Sequence, residues 1–409
     1  VYNNLSKIHD KKLFVATQLK KLYLTMTGKE ILSELSKFPH RGATTQNEHK
    51  ASVMLAKSLE EMGLDVSVEK FRATPSYSWE IILCSLTVIA GLIIGIWLSF
   101  MGAALVLLGY WSLVRHFMGR GTLFTHLIPR GSSQNVLGKI KSHGDEFKRR
   151  IILMAHYDTA RASALFSPGM VKSFRKNFVF NMYLGTGAIP WAFLGQYWGN
   201  FIWYKLGTGI IGLIFFSNVL IHLHREIVHR YVQGMNDNGS GVAAVFDIIN
   251  KLNSSPLLNT EVWVLFTGCE ETSIQGARNF VDEHKYELKT ESTYVINLDN
   301  IGQGNLHFAT GEGMTIFWKY DDLIINKCAS IASRPEFSGI RPLEYRLAYF
   351  DALTFAQNGY PCTTLIALDD NGAIPNWHWY TDTIENIDWK PIELAVDFSV
   401  ELSRQIDAS

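Results

Sequence analysis

The chain has 409 residues, of which 47% are apolar and 19% charged, and its 38 basic side chains balance its 38 acidic ones. That length suits one large core or a domain with added layers, and a formal charge of +0 without a long Lys/Arg block excludes nucleic-acid binding driven by a global field. Cys84, Cys269, Cys328 and Cys362 are widely separated and form no CxxC pair, which excludes a disulfide framework and a sulfur-ligated zinc site.

Residues 1–24 alternate Lys with apolar residues, lack a signal-peptide cleavage pattern and are expected to form an N-terminal helical segment. Amphipathic helices follow at 29–38 and 47–63; in the second, Ala51, Leu55, Leu59 and Met62 recur at spacings of four and three. Residues 65–71 alternate as a strand. The next 34 residues, 81–114, contain no charge. A soluble core seldom needs such a run, so a transmembrane hairpin is expected, with helices at 81–99 and 102–114 turning near Phe100 and Met101. A single tilted crossing is the competing reading.

Strands are expected at 134–140 and 150–155. A second apolar block, 177–222, is interrupted only by Lys205. Its halves, 178–194 and 201–221, are joined by a linker rich in Gly and aromatics, as suits a membrane interface. Two hairpins and four crossings are the preferred count, against buried helices of a large soluble domain. Lys70, Arg72, Arg115 and Arg120 flank the first block, and Lys172, Arg175, Lys176, Arg225 and Arg230 the second. Both hairpins return the chain to its starting side, and the positive-inside rule places that side in the cytoplasm.

Beyond the second block the pattern gives a helix at 240–251, a strand at 261–266, a helix at 273–284 and a strand at 293–298. Helices at 315–333 and 352–358, a strand at 362–367 and a closing helix at 389–406 complete it. Strands alternating with helices imply an α/β sandwich with a mixed, mostly parallel sheet, which gathers ligands at the carboxyl ends of its strands. The expected organisation is a catalytic domain made of 25–79, 115–176 and 225–409, with transmembrane inserts at 80–114 and 177–224.

His156 and Asp158 directly follow the strand at 150–155, Glu270 and Glu271 follow 261–266 after a short turn, and Asp299 follows 293–298. Three strands thus deliver polar groups from one sheet edge. Asp237 sits in a Gly-flanked turn before a helix, where small residues permit close backbone approach; standing alone, it would equally read as a helix cap. His378 lies in an aromatic loop. Two histidines with several carboxylates at element ends suit a pair of divalent cations held by nitrogen and oxygen, with one acid left as a base. His222, His224 and His229 read as interfacial histidines.

Taken together, His156-Tyr157-Asp158, Asn236-Asp237-Asn238-Gly239-Ser240-Gly241, Glu270-Glu271, Asp299 and His378-Trp379-Tyr380-Thr381-Asp382 resemble the successive motifs of the co-catalytic di-zinc exopeptidases of peptidase clan MH. That family includes bacterial and vacuolar aminopeptidases, glutamate carboxypeptidase and, more distantly, glutaminyl cyclase. The resemblance covers the chain from about Lys29 to the end, except the two apolar inserts. It implies a three-layer α/β/α sandwich, the phosphorylase/hydrolase-like zinc peptidase fold, here carrying two inserted hairpins.

It further implies that His156 and Asp299 bind one zinc, that Glu271 and His378 bind the other, and that Asp237 bridges them. Glu270 matches the general base, Asp158 the carboxylate that orients His156, and Asp382 a supporting residue near the last ligand. Asp351 falls where the family often has an Asp-His pair, from which Ala352 departs. Arg341 and Arg346, just upstream, are candidates for holding a substrate carboxylate.

The expected function is a membrane-bound, zinc-dependent exopeptidase acting on peptides, an aminopeptidase first. Alternatives are a carboxypeptidase or dipeptidase, a catalytically inactive membrane receptor or scaffold, and a glutaminyl cyclase, which the five-ligand set disfavours. Another divalent transition ion fits the same donors. The inserts flank the catalytic segments, so hydrophobic peptides reaching the site from the bilayer are the expected substrates.

Overall fold

The computed structural model describes residues 26–140 and 147–409; the segment expected to be helical at 1–24 lies outside them. Two helices, α1 (Gly28–Ser36) and α2 (Gln46–Glu61), precede strand β1 (Asp65–Ala73). Thr27 and Glu30 close a capping box at the start of α1. The first apolar block forms α3 (Ser78–Gly95) and α4 (Ser99–His116). Strands β2 (Gly131–Ile140) and β3 (Arg149–His156) follow. The second block forms α5 (Phe174–Phe193), a turn of helix at Gly195–Trp198, and α6 (Ile202–Val228).

The remainder alternates: α7 (Ser240–Ser254), β4 (Thr260–Thr267), α8 (Gln275–His284), β5 (Thr293–Leu298) and β6 (Asn305–Glu312). Then come β7 (Trp318–Lys319), α9 (Asp322–Ala332), β8 (Arg341–Tyr345), α10 (Ala352–Gln357), β9 (Cys362–Leu368) and α11 (Trp389–Asp407).

The strands form one sheet in the order β1-β2-β4-β3-β5-β9-β6-β7, with β8 also pairing β6. Its centre, β4-β3-β5-β9, is parallel. The flanking pairs β1–β2, β2–β4, β6–β9 and β6–β7 are antiparallel. The expected mixed sheet is thus parallel at its centre and, apart from the parallel β6–β8 pair, antiparallel at its flanks. Side chains alternate between two cores, as the two-residue period requires. Ile151, Leu153 and Ala155 of β3 pack with α1, α2, α7 and α11, while Ile152 and Met154 pack with α8 and α10. This is a mixed α/β sandwich with helices on both faces.

The sequence expectation differs from the structure at several elements. Residues 315–333 are not one helix: Asp321 caps a helix that starts at Asp322, and a two-residue strand precedes it. Strands β6 and β8 were not anticipated. The first hairpin turns at 96–98, not at 100–101, because Gly95 and Gly102 bring the helices together beside the turn: a Cβ on Gly102 would lie 2.3 Å from the Gly95 Cα.

Helices α3 to α6 share a separate apolar cluster that includes Val88, Leu92, Val106, Ala188 and Phe215. By length and composition α3 and α6 are each apolar enough to cross a membrane. Among the described residues they are the two helices that qualify, against the four crossings expected.

Candidate metal centre and active site

The carboxyl ends of β3, β4 and β5 meet the loops before α7 and after β9, and there the polar residues converge. His156 ends β3, Asp299 follows β5, and Asp237 lies between them with one oxygen turned to each histidine. Asp237 Oδ1 is 3.1 Å from His156 Nε2, and Oδ2 is 3.1 Å from His378 Nε2. Asp299 Oδ1 lies 3.7 Å from His156 Nε2, and Glu271 Oε2 3.0 Å from His378 Nε2. Two sets of donors result, His156-Asp237-Asp299 and Asp237-Glu271-His378, each with ligand atoms within 4.8 Å of one another. They share Asp237, as two neighbouring cations require if a carboxylate is to offset their repulsion. Nitrogen and oxygen donors without sulfur, nearly all buried, fit two zinc ions.

Irregular backbone carries these side chains. His378, Asn300, Cys269 and Ser273 all adopt positive φ, a region L residues seldom occupy, and a cis peptide joins Asp237 to Asn238. Asp158 lies 3.6 Å from His156 Nδ1, while its two oxygens accept hydrogen bonds from the amides of Glu270 at 2.9 Å and Glu271 at 3.2 Å. It thus ties the β4 turn to β3 as well as facing the histidine. Asp382 accepts from the amides of Asn236 at 2.6 Å and Asp237 at 3.1 Å, fixing the main chain of the shared carboxylate.

Crowded, buried acids set the electrostatics. Burial raises the Glu270 carboxyl well above its usual range; His156 opposes the rise, and Glu271, Asp351 and Asp299 add to it. Burial alone would lower the His378 imidazole, yet Glu271 and Asp237 push it up to about 9. His156 is likewise raised well above its usual value against the pull of burial, chiefly by Glu270 and Asp299. Burial would raise Asp237, but hydrogen bonds from the two histidines hold it below its ordinary value. A strongly negative cluster that retains protons on its imidazoles is a cluster suited to cations.

The centre opens into a cavity of about 210 Å³ that also reaches Tyr345, Tyr349, Phe166 and Trp377. Asp351 is buried beside it, hydrogen-bonded by Thr267, with its carboxyl raised to about 7 by burial. Arg341 and Arg346 are not brought to the site. Arg341 is exposed on β8, and Arg346 pairs with Glu344 at 2.9 Å and covers Phe317. Of β8 it is the last residue, Tyr345, that lines the cavity, while Arg341 stands at the opposite end of the strand and Arg346 turns aside to Glu344 and Phe317.

Sequence reasoning missed Arg41. Its buried guanidinium donates to the carbonyls of Tyr157, Gln233 and Gly234, clamping the loops that carry Asp158 and Asp237. The one visible sign was a lone Arg in the Pro39–Gly42 turn between two amphipathic helices. Tyr345 was missed as well; its phenol lines the cavity, buried and without a partner.

Residues 219–402, which hold Asp237, Glu270, Glu271, Asp299 and His378, match the model of Peptidase family M28. Fold and paired triads are thus similar to those of this family of di-metal peptidases. Two curated relatives align over short stretches. The probable lipoprotein aminopeptidase LpqL of Mycobacterium tuberculosis is 35% identical over 80 residues, 20% of this chain and 16% of that protein. The putative endoplasmic reticulum metallopeptidase 1-B of Caenorhabditis elegans is 28% identical over 183 residues, 42% of this chain and 18% of that protein. The matched region thus spans under a fifth of either relative.

Among solved structures, the aminopeptidase from Aneurinibacillus sp. strain AM-1 overlays with a TM-score of 0.56 at 15% identity, over 95% of each chain. The glutaminyl cyclase of Tannerella forsythia gives the same score and identity, over 93% of this chain and 98% of its own. Likeness at this identity is a likeness of fold.

Proposed function

We propose that the chain is a membrane-held, zinc-dependent aminopeptidase, with peptidase segments 25–79, 115–176 and 225–409 and helical inserts 80–114 and 177–224. The observation that carries this reading is the shared Asp237, whose two oxygens face two histidines far apart in the sequence. When bound, a zinc pair supplies a water acidified toward neutral pH and polarises the peptide carbonyl.

The chain's own residues do the rest. Glu270, whose Oε2 lies 3.9 Å from His156 Nε2, has a carboxyl raised by burial, as suits a base that accepts a proton and returns it to the leaving amine. The unpartnered Tyr345 hydroxyl is a neutral donor for the oxyanion that develops on the carbonyl. His156 and Asp299 would hold one ion and Glu271 and His378 the other, while Asp158, Asp382 and Arg41 fix their loops.

With zinc offsetting the charge of its ligands, what favours an amine over a carboxylate at the substrate terminus is the lack of a basic anchor for a carboxylate. Asp237, Glu270, Glu271 and Asp299 line the cavity, and among the described residues no Lys or Arg does. Glu271 Oε1, buried and without a partner, is the acceptor left for an α-ammonium. A carboxypeptidase would need a cation there. The membrane part of the proposal rests on large apolar side chains exposed along α3 to α6, among them Trp97, Phe100, Ile202, Leu213 and Leu220.

The test uses the purified chain loaded with zinc and a peptide library free or blocked at either end. Cleavage that needs a free amine, accompanies about two zinc per chain and falls at least ~10³-fold in Glu270→Ala supports the proposal. Cleavage indifferent to the amine points to another exopeptidase or endopeptidase, and a folded chain without metal points to a scaffold.

A further inference from the structure

The cavity does not end at the sheet. It continues from the metal cluster between the four apolar helices, past Phe117, Phe178, Met182 and Phe215, to Asn181 and Asn218. Along α5 the lining runs from Phe174 to Met182, and along α6 from His222 back to Phe215. At ~1.5 Å of rise per residue both stretches are roughly 10–12 Å deep, room for about three extended residues of a peptide. The volume, about 210 Å³, exceeds the ~150 Å³ of a void that accepts a benzene ring. It is larger than one terminal side chain needs.

How the four helices pack indicates a way in. Helix α5 rests on α4 and α6 rests on α3, whereas α5 and α6 touch each other little. At the end remote from the sheet they are pinned: Tyr204 donates to the Trp191 carbonyl at 2.8 Å, and Trp191 Nε1 donates to Thr208 at 3.0 Å. Nearer the sheet their link is Asn218 Nδ2 donating to Asn181 Oδ1 at 3.4 Å, a long bond between two partly buried amides. Asparagine amides facing each other over an otherwise apolar channel are a weak closure that a peptide main chain can replace bond for bond. Outside the gap lie the exposed apolar faces of Phe180, Tyr183, Phe216 and Leu220.

We infer that the helical half of the cavity is a binding channel for an apolar peptide segment, opened sideways between α5 and α6 at the Asn181–Asn218 pair. This rests on the peptidase reading above and adds a substrate class to it: peptides with a free amine whose second to fourth residues are apolar. The amine sits among the acids of the metal centre, and the following residues trail through the channel toward the gap. A chain that leaves through an apolar opening never has to place those side chains in water.

The experiment compares Leu-Leu-Leu-Leu-amide with Leu-Ser-Ser-Ser-amide on the full zinc-loaded chain in detergent. The leucine peptide is expected to have the higher kcat/KM by about tenfold or more, as burying even one leucine would give. A second arm closes the gap by joining Asn181→Cys and Asn218→Cys with a short bis-maleimide, the four native cysteines being buried. A third arm plugs it with Asn218→Phe.

Both closures should slow the leucine peptide at least about tenfold more than the serine peptide. Equal rates for the two peptides before closure, or equal slowing of both after it, would overturn the channel. Calorimetric affinities of the same peptides decide the matter even if nothing is cleaved: absence of hydrolysis sinks the aminopeptidase reading, whereas equal affinities sink the channel.

Discussion

Asp237 serves both halves of the metal centre, so whatever fixes its main chain governs both at once. That task falls to Asp382, which accepts the amides of Asn236 and Asp237 and is itself pushed up to about 7 by burial and by Asp237. Asp382→Asn keeps one acceptor and loses the other. Zinc affinity or kcat/KM is expected to fall about 10- to 100-fold, with thermal stability much less affected; zinc titration against a chelator reads the first. The imidazoles give a second prediction. His156 and His378 are held above the usual value by the acids around them, so at neutral pH both carry a proton before metal arrives. Zinc must displace these protons, so loading at pH 7 should release protons. Apparent affinity should fall as pH drops and rise toward pH 9. Calorimetry in buffers of different ionisation enthalpy counts the protons, and none released would mean that the nitrogens are not the ligands. The candidate ligands other than His378, which lies in an aromatic loop, were legible because each follows a strand or sits in a Gly-rich turn. Asp382 and Arg41 act on backbone groups, and that leaves no spacing to read.

Among elements, legibility followed burial. Strands β3 and β4 announce themselves as Ile-Ile-Leu-Met and Glu-Val-Trp-Val-Leu-Phe because both faces of the central sheet are covered. Strand β8, Arg-Pro-Leu-Glu-Tyr, carries a proline and two charges and is largely exposed, as an edge strand can be, so its pattern resembles a loop. The apolar blocks show the opposite failing: their composition is unmistakable, but hydropathy alone cannot say where a turn falls. The turn is set by glycines. Gly91, Gly95, Gly102 and Gly109 lie where α3 and α4 meet, and a Cβ on any of them would come within 3 Å of the other helix or of a neighbouring chain segment. Close packing of this kind holds helices together where no hydrophobic effect favours their contact. Gly102→Ala is therefore expected to loosen the hairpin and cost about 1–3 kcal/mol, measured as thermal unfolding in detergent. Gly212→Ala on α6, where a Cβ would meet nothing within 4 Å, is the matched control and should be neutral or slightly stabilising.

At the scale of the whole molecule, the question is how the sandwich and the helices lie relative to a bilayer. With 18, 18, 20 and 27 residues, α3 to α6 are long enough to approach or exceed a hydrocarbon core of ~30 Å at ~1.5 Å per residue. Both hairpins begin and end beside the sheet, so in a crossing arrangement the turns at 96–98 and 195–201 emerge on the side opposite the metal centre. Trp97, Tyr197, Trp198 and Trp203 at those turns suit an interfacial belt. Lys and Arg collect at the other end, so the positive-inside rule makes a cytoplasmic sandwich the expectation to be tested. Two engineered thiols test this against a buried background, since Cys84, Cys269, Cys328 and Cys362 are all inaccessible. Tyr286→Cys lies on the sandwich at 90% exposure, and Asn200→Cys lies on the exposed second turn. An impermeant maleimide applied to intact cells should label Asn200→Cys and reach Tyr286→Cys only after permeabilisation. The reverse order would invert the topology. Labelling of both from one side would mean that the hairpins lie along the surface without crossing, and the apolar faces of α5 and α6 would then meet the acyl chains only at their outermost layer.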